Sequence, residues 1–203
     1  MKKHPILSLA LLFLLSCGQD KNGSGDGNSN PADTTSEKKD ISFIPVTSIL
    51  QNQMAALDSL QVTILQVITV NKKEDSTWLP AEKVKPLLAP FLSPVIDKTN
   101  LINLFKESRF DDQSTAAITF TYDPATTLPD SLNLRHWDVY FDPELNAIRR
   151  IYLLKTVKEN NIPVTQQLTW QVNKWAKIVT IRNDANSTTP VVTEIKWVWD
   201  LNE

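Results

Sequence analysis

Residues 164–181 carry the clearest structural pattern in the chain, VTQQLTWQVNKWAKIVTI. Polar and apolar residues alternate on both sides of Asn173-Lys174, which is typical of two half-buried strands joined by a tight turn. A two-residue loop at this pair places Val172 opposite Trp175, with apolar side chains on one face of both strands. The pattern therefore predicts an antiparallel hairpin with one face buried in a hydrophobic core.

The same period of two extends on both sides of this hairpin. A turn with Asn146 in the left-handed position joins two of the flanking strands. In the last strand, Trp197 lies between Ile195 and Trp199 on the predicted inner face, while Lys196 points away. We therefore expect a meander of about six strands. Those outside the hairpin cover residues 114–122, 137–141, 147–157 and 191–199.

The N-terminal half of the folded part has a different pattern. Apolar residues at helical spacing predict a helix over Val46–Leu60, and a β-branched segment predicts a strand over Gln61–Val70. Residues 71–77 are polar and indicate a turn. Closely spaced prolines after this turn forbid one long helix, so we expect short helices near 80–88 and 100–108.

Helices followed by a β-meander predict an α+β domain over residues 41–203. The expected architecture is N-terminal helices packed on an antiparallel sheet of about six strands, as a half-barrel or a cystatin-like wrap around a helix. A small closed β-barrel is the alternative. A segment of this length can bury one hydrophobic core, so we expect a single globular domain.

The N-terminus has the features of an export signal. Lys2 and Lys3 precede an apolar run, Ile6–Leu15, which ends at Ser16-Cys17. The run is too short to cross a bilayer core of about 30 Å as a helix, and a small residue before the cleavage point is typical of secretory signals. Cys17 is the one cysteine of the sequence, which excludes a disulfide within the chain.

Leu14, Ser16 and Cys17 resemble the lipobox of bacterial lipoproteins, an aliphatic residue and then a small one before a cysteine. The resemblance implies a signal peptide over residues 1–16, cleavage before Cys17, and acylation of its sulfur and new amine by palmitate-like chains. It also implies a location in the cell envelope, with the membrane as a partner. In the sorting rule of proteobacterial lipoproteins, a residue other than Asp after the acylated cysteine favours the outer membrane. Gly18 follows Cys17 here, so the resemblance implies the outer membrane, on its periplasmic or surface face.

Residues 17–40 form the predicted tether between this anchor and the domain. Beyond Cys17 the segment holds all four glycines of the chain and almost no apolar residue. Such a composition cannot bury enough surface to offset its ordering entropy, so we expect a flexible linker. About 23 residues of Gly/Ser-type coil reach roughly 25–30 Å root-mean-square, which lets the domain search the space near the membrane.

Composition excludes several classes of function. Without Lys2 and Lys3, the chain has 19 basic and 23 acidic residues and no basic stripe, so nucleic acid is not an expected partner. No glycine follows Gly27, which excludes a phosphate loop or a dinucleotide fingerprint. His136 is the one histidine after the signal, on a strand face with Asp138. We therefore expect neither a metal nor another cofactor.

Two hypotheses of function remain. The first is a non-enzymatic binding module for an unknown protein, glycan or apolar ligand, and we expect no catalytic residues. The alternative is a small envelope hydrolase that uses carboxylates, which need to face each other across a cleft. The acids considered for that role lie in predicted turns, at Asp111, Asp112, Asp142 and Glu144.

The tryptophans are the candidate binding residues. An indole suits apolar pockets and sugar stacking, although alternation along a strand also favours burial in the core. The candidate ligand or partner surface comprises Trp137, Trp170, Trp175, Trp197 and Trp199.

Four triplets that begin with Asp followed by Ser or Thr resemble the O-glycosylation signal of exported Bacteroidota proteins. The resemblance implies modification of the second residue in each triplet, whereas Asp-Ser is also a common turn pair. The residues concerned are Thr34, Ser59, Ser76 and Ser131.

The lipid anchor is tested by Cys17→Ser. This variant lacks the sulfur that would be acylated. Because acyl methylenes buried in the bilayer provide the membrane affinity, we expect the variant to leave the membrane fraction. Detergent partitioning of the variant and the wild type is the measurement. Unchanged partitioning would contradict the lipoprotein prediction.

Overall fold

The computed structural model describes residues 42–59, 62–112, 117–183 and 190–199, all within the unit Lys39–Glu203. Among these residues, nine antiparallel strands form one sheet, in the order β2-β1-β9-β8-β7-β6-β5-β4-β3. The helical segments are α1, Val46–Ser59, α2, Ala81–Val84, and a 3₁₀ segment, Lys85–Leu92. The strands are β1 Thr63–Val70, β2 Lys73–Pro80, β3 Phe105–Asp112, β4 Ala117–Pro124, β5 Leu134–Asp142, β6 Ala147–Glu159, β7 Ile162–Gln171, β8 Trp175–Arg182 and β9 Val191–Val198.

This architecture corrects the predicted fold class. The α+β class with helices on a six-stranded meander is wrong, because the described chain is mostly one nine-stranded sheet with only two short α-helices. The closed barrel is also wrong, since the terminal strands β2 and β3 are not paired with each other. Both strands escaped prediction because most of their described side chains are exposed on both faces, so no alternation marks them. The exceptions are Leu79 in β2 and Phe105 in β3, which pack in the core.

Two predicted segments are therefore replaced by strands. The predicted turn over residues 71–77 is only Asn71-Lys72, whose φ values of 48° and 69° make a tight left-handed turn into β2. The predicted helix near 100–108 is wrong, because residues 101–104 form a turn and β3 starts at Phe105.

The hairpin between β7 and β8 is present, but its register differs by one residue from the prediction. The loop has three residues, 172–174, so Gln171 rather than Val172 lies opposite Trp175. Asn173 takes the left-handed conformation, with φ 62°, and its N–H donates to Oε1 of Gln53 at 3.1 Å. Because a one-residue shift exchanges the two faces of a strand, Trp175 lies on the face opposite to the core.

The core lies between the helical layer and one face of the sheet, which we call the inner face; the other is the outer face. Phe43 packs edge-on against Trp137, with ring centroids 5.9 Å apart, and Phe91 packs in the same way against Trp170 at 5.3 Å. Trp197 is 2 % exposed, which confirms its predicted inner-face position. The indole N–H groups of these three tryptophans have no partner within the described chain, so their contribution is packing.

Helix α1 confirms the predicted helix over this segment. Its buried residues, among them Val46, Leu50 and Leu57, follow helical spacing and enter the core. Thr47 Oγ1 accepts a hydrogen bond from the Ile96 N–H at 2.8 Å, which ties the helix to the loop after the 3₁₀ segment. Among the described residues, no helix is long and apolar enough to cross a membrane.

The 3₁₀ segment is attached to the sheet by a buried charge. Lys155, on the inner face of β6, is 2 % exposed, and its ammonium donates to the carbonyl oxygens of Pro90 and Ser93. Burial lowers the pKa of this amine to about 8. A buried charge needs hydrogen-bond partners. The hydrogen bonds of Lys155 to these two carbonyl oxygens therefore fix where the 3₁₀ segment packs on the sheet.

Trp197→Ala tests the core assignment. We expect the substitution to lower the melting temperature of the protein strongly, because truncating a buried Trp costs about 3–5 kcal/mol. At roughly 2–4 °C per kcal/mol for a domain of this size, the decrease should be about 6 °C or more. Thermal unfolding followed by circular dichroism is the measurement.

The matched control is Trp78→Ala in β2, since Trp78 is 65 % exposed. This control should melt within about 2 °C of the wild type, as expected of a surface substitution. Equal melting temperatures for the two variants would contradict the core assignment of Trp197.

Candidate functional site

A hydrogen-bonded cluster of polar side chains lies on the outer face of β4 and β5. We call Thr121, Asp123, His136, Asp138 and Tyr140 the outer-face cluster. His136 Nδ1 is 2.8 Å from Asp123 Oδ1, and its Nε2 is 3.1 Å from Asp138 Oδ2. Thr121 Oγ1 donates to Asp138 Oδ1 at 2.7 Å, and the Tyr140 hydroxyl lies 3.5 Å from Asp138 Oδ2. The strand positions bring these groups together, because Thr121 lies opposite Asp138 in the sheet.

The two carboxylates hold the imidazole in its charged form. Hydrogen bonding to Asp138, with a further contribution from Asp123, raises the pKa of His136 to about 9 against the effect of burial. Burial alone would raise the pKa of Asp138, but hydrogen bonds from His136 and Thr121 outweigh it and the pKa lies below its usual value. At neutral pH the cluster therefore contains a cation between two anions.

This arrangement does not provide a general base. Both ring nitrogens of His136 are engaged by carboxylates, whereas a base needs one free nitrogen directed at a substrate proton. The described residues contain no group of three or more His, Cys, Asp or Glu side chains placed to hold a metal ion.

Two of the turn acids considered for hydrolysis, Asp142 and Asp111, have structural partners in the described part of the chain. Asp142 is buried and accepts from the backbone N–H groups of Glu144 and Leu145 at 2.9 and 3.0 Å, so it stabilises the turn. Asp111 pairs with Arg109 at 2.8 Å on exposed β3. The side chain of Asp112 lies outside the described residues. These positions are those of turn and edge residues.

An apolar groove lies on the inner face between α1 and the hairpin that joins β5 and β6. Its volume is about 550 Å³. A register shift between Tyr140 and Phe141 sets Phe141 opposite Ile148, so both side chains line the groove. The apolar groove is lined by Ile44, Ile49, Gln53, Phe120, Phe141, Asn146, Ala147, Ile148 and Val172.

The groove has little polar character. One of its two polar side chains, Gln53, already accepts the Asn173 N–H. The other, Asn146, is in the left-handed conformation predicted from the sequence, with φ 49°. The remaining lining residues are aliphatic or aromatic, so the groove suits an apolar group.

The structure separates the candidate tryptophans into two sets. Trp137, Trp170, Trp197 and Trp199 are buried in the core. Trp175 lies on the outer face, where the Lys196 ammonium is 5.1 Å from its ring centroid. None of these tryptophans lines the apolar groove. Sequence reasoning missed the groove residues, because they are ordinary apolar side chains from α1, three strands and two loops.

The candidate modification sites are on the surface where the structure describes them. Ser59, at the end of α1, Ser76, in β2, and Ser131, in the turn before β5, are all exposed. Thr34 and Cys17, the predicted lipidation residue, lie outside the described residues. Exposure makes the three serines accessible to a modifying enzyme.

The pH dependence of His136 tests the outer-face cluster. Because partners raise its folded pKa from 6.5 to about 9, the stability that it contributes is complete below pH 6.5 and is lost as pH rises to about 9. We expect proton NMR of the His136 ring to titrate near pH 9. In Asp138→Asn the midpoint should fall toward 6.5.

A wild-type midpoint near 6.5 would contradict the geometry of the cluster. Ring resonances are preferable to a stability profile, because Lys155 acts with the opposite sign. Its lowered pKa makes the unfolded chain bind more protons between pH 8 and about 10.5, so its contribution to stability rises with pH there.

Comparison of the chain with protein-family models, curated proteins and solved structures found no match. The function therefore has to be inferred from the chemistry of the apolar groove and of the outer face.

Proposed function

We propose that this protein is a lipid-anchored, non-enzymatic binding module of the cell envelope, which holds the apolar part of a ligand or partner in the groove beside α1. The observation that carries the proposal is the apolar groove itself. Its volume, about 550 Å³, is within the range of small-molecule sites, about 300–1,000 Å³. Its walls are apolar with two polar side chains at the margin, which is the usual composition of such sites.

Hydrogen bonds hold the walls of the groove in place, which supports a preformed binding site. The hairpin between β5 and β6 forms one wall, and Asp142 fixes this hairpin by accepting two backbone N–H groups. Gln53 connects α1 to the loop after β7. A preformed groove loses less conformational entropy on binding than a mobile one.

Leu145 extends the apolar surface beyond the groove. This residue is 73 % exposed at the tip of the same hairpin, next to Asn146 and Ala147 in the groove lining. A large exposed apolar side chain beside an apolar groove is typical of binding surfaces. We therefore expect an occupant that continues out of the groove over Leu145.

The location rests on the sequence. The lipobox-like residues Leu14, Ser16 and Cys17 and the glycine-containing tether support acylation and attachment to the outer membrane. A tether reaching roughly 25–30 Å keeps the groove close to the bilayer and to neighbouring envelope proteins. Binding near an anchor benefits from a high effective concentration of membrane-bound partners.

Ala147→Phe tests the groove. The probe is 1-anilinonaphthalene-8-sulfonate, whose fluorescence rises in an apolar site. Ala147 lines the groove and is exposed, so a phenyl ring there should occupy the site without disturbing the core. We expect the dye to bind the variant at least about tenfold more weakly, a loss of roughly 1.4 kcal/mol.

The matched control is Ala125→Phe, an exposed alanine in the loop after β4 that does not line the groove. This control should bind the dye as the wild type does. Equal dye affinity for both variants would reject the groove as the binding site.

A further inference from the structure

The outer face carries four aromatic side chains on one line across the sheet. Phe110, Tyr140, Trp175 and Trp78 belong to β3, β5, β8 and β2, and we call them the aromatic row. Cross-strand partners connect them without a break, and directly opposed side chains share a face. The intervening positions are Thr119, Arg150, Gln171, Val198 and Leu65.

No element among the described residues covers this row. The helical layer packs on the inner face, and Phe110 and Trp78 are 66 % and 65 % exposed. These two rings are among the most exposed large apolar side chains of the described residues. Their flat apolar surfaces suit stacking on another flat or weakly apolar group.

Two cations stand over rings of the aromatic row. The Arg150 guanidinium carbon is 3.8 Å from the Tyr140 ring centroid, and the Lys196 ammonium is 5.1 Å from that of Trp175. Neither cation forms a salt bridge with any described residue. Stacking holds the cations in place. The Arg150 guanidinium also hydrogen-bonds the Tyr140 hydroxyl, and its remaining N–H donors, with those of Lys196, can reach an anion.

Three described acids on this face contact a cationic side chain. Asp123 and Asp138 contact the charged ring of His136 at 2.8 and 3.1 Å, and Glu194 pairs with Lys177 at 3.4 Å. His136 balances one of its two carboxylates, so the outer-face cluster keeps one net negative charge. Among the described residues, the charged groups that contact rings of the row are Arg150 and Lys196. The face complements a ligand that combines flat rings with negative charge.

The spacing of the row requires an extended ligand. Neighbouring strands lie about 4.8 Å apart, so Phe110 and Tyr140, two strands apart, are separated by about 10 Å. Tyr140 and Trp175, three strands apart, are separated by about 14 Å. A single sugar or a small metabolite cannot reach two of these positions, whereas a chain of rings can.

From this combination we infer that the outer face binds an acidic glycan, a polysaccharide whose sugar rings carry carboxylates. The C–H faces of the sugars stack on Phe110 and Trp78, and the carboxylates accept hydrogen bonds from Arg150 and Lys196. This site is separate from the apolar groove, which lies on the opposite face of the sheet.

Affinity electrophoresis of the full mature chain tests the inference, with polygalacturonate in the gel as the probe. Methyl-esterified polygalacturonate, which has the same backbone without the charge, is the matched neutral probe. We expect retardation by the acidic polymer, weaker retardation by the ester, and weakening with salt because surface charges are screened. Monomeric galacturonate should not compete.

Two pairs of variants assign the site. Phe110→Ala with Trp78→Ala removes the exposed rings, and Arg150→Met with Lys196→Met removes the charges while keeping the stems. Each pair should weaken binding roughly tenfold or more, as loss of stacking does on other ring-bearing chains. Ala147→Phe, in the groove, should bind the polymer like the wild type.

Absence of retardation by polygalacturonate, or retardation that neither pair of variants changes, would overturn the inference. Equal retardation by the acidic and the esterified polymers would also overturn it, because the cations would then play no part. If Ala147→Phe binds the glycan but not the dye, the glycan site and the apolar groove are two different sites. The failure of one proposal can then be distinguished from the failure of the other.

Discussion

The constraint on which this structure depends is that, among the described residues, the helical segments cover the nine-stranded sheet on one face only. A single layer, α1 with α2 and the 3₁₀ segment, supplies all the described helical surface, so the inner face must hold the core and the outer face must be compatible with water. Strict alternation along each central strand follows from this constraint. It places Trp137, Trp170 and Trp197 inside and Tyr140 and Trp175 outside.

The covering layer is shorter than the sheet, and this mismatch creates the groove. Lys155 attaches the 3₁₀ segment to β6, and Thr47 attaches α1 to the loop that follows that segment. The hairpin between β5 and β6 extends beyond them, which leaves Phe141 and Ile148 covered on one side only. The two proposed binding surfaces thus have different origins. The groove consists of inner-face apolar residues at the margin of the core, whereas the aromatic row consists of aromatic residues on the outer face.

Several features could be predicted from the sequence because their causes are local. Helix α1 follows from apolar spacing, and the turn at Asn146 follows from the residue's tolerance of positive φ. The burial of Trp197 follows from alternation in the last strand. The position of His136 beside Asp138 also follows from strand geometry, since residues two apart share a face.

The features that could not be predicted depend on distant partners or lack a pattern. Strands β2 and β3 exist because β1 and β4 offer hydrogen-bonding edges, and their own exposed sequences show no alternation. The register at Trp175 depends on a three-residue loop stabilised from α1 by Gln53. The groove and the aromatic row both require the order of the strands, which no single segment specifies.

The open sheet leaves a hydrogen-bonding side on β2 and on β3 that no described strand occupies. Lys73 to Asp75 begin one edge, and Glu107, Arg109 and Asp111 lie along the other. Charged edges are a common protection against strand addition between molecules. If the proposed lipid anchor holds many copies on one membrane, those copies would meet often and in similar orientation. The charged edges would then oppose the joining of their sheets into a polymer.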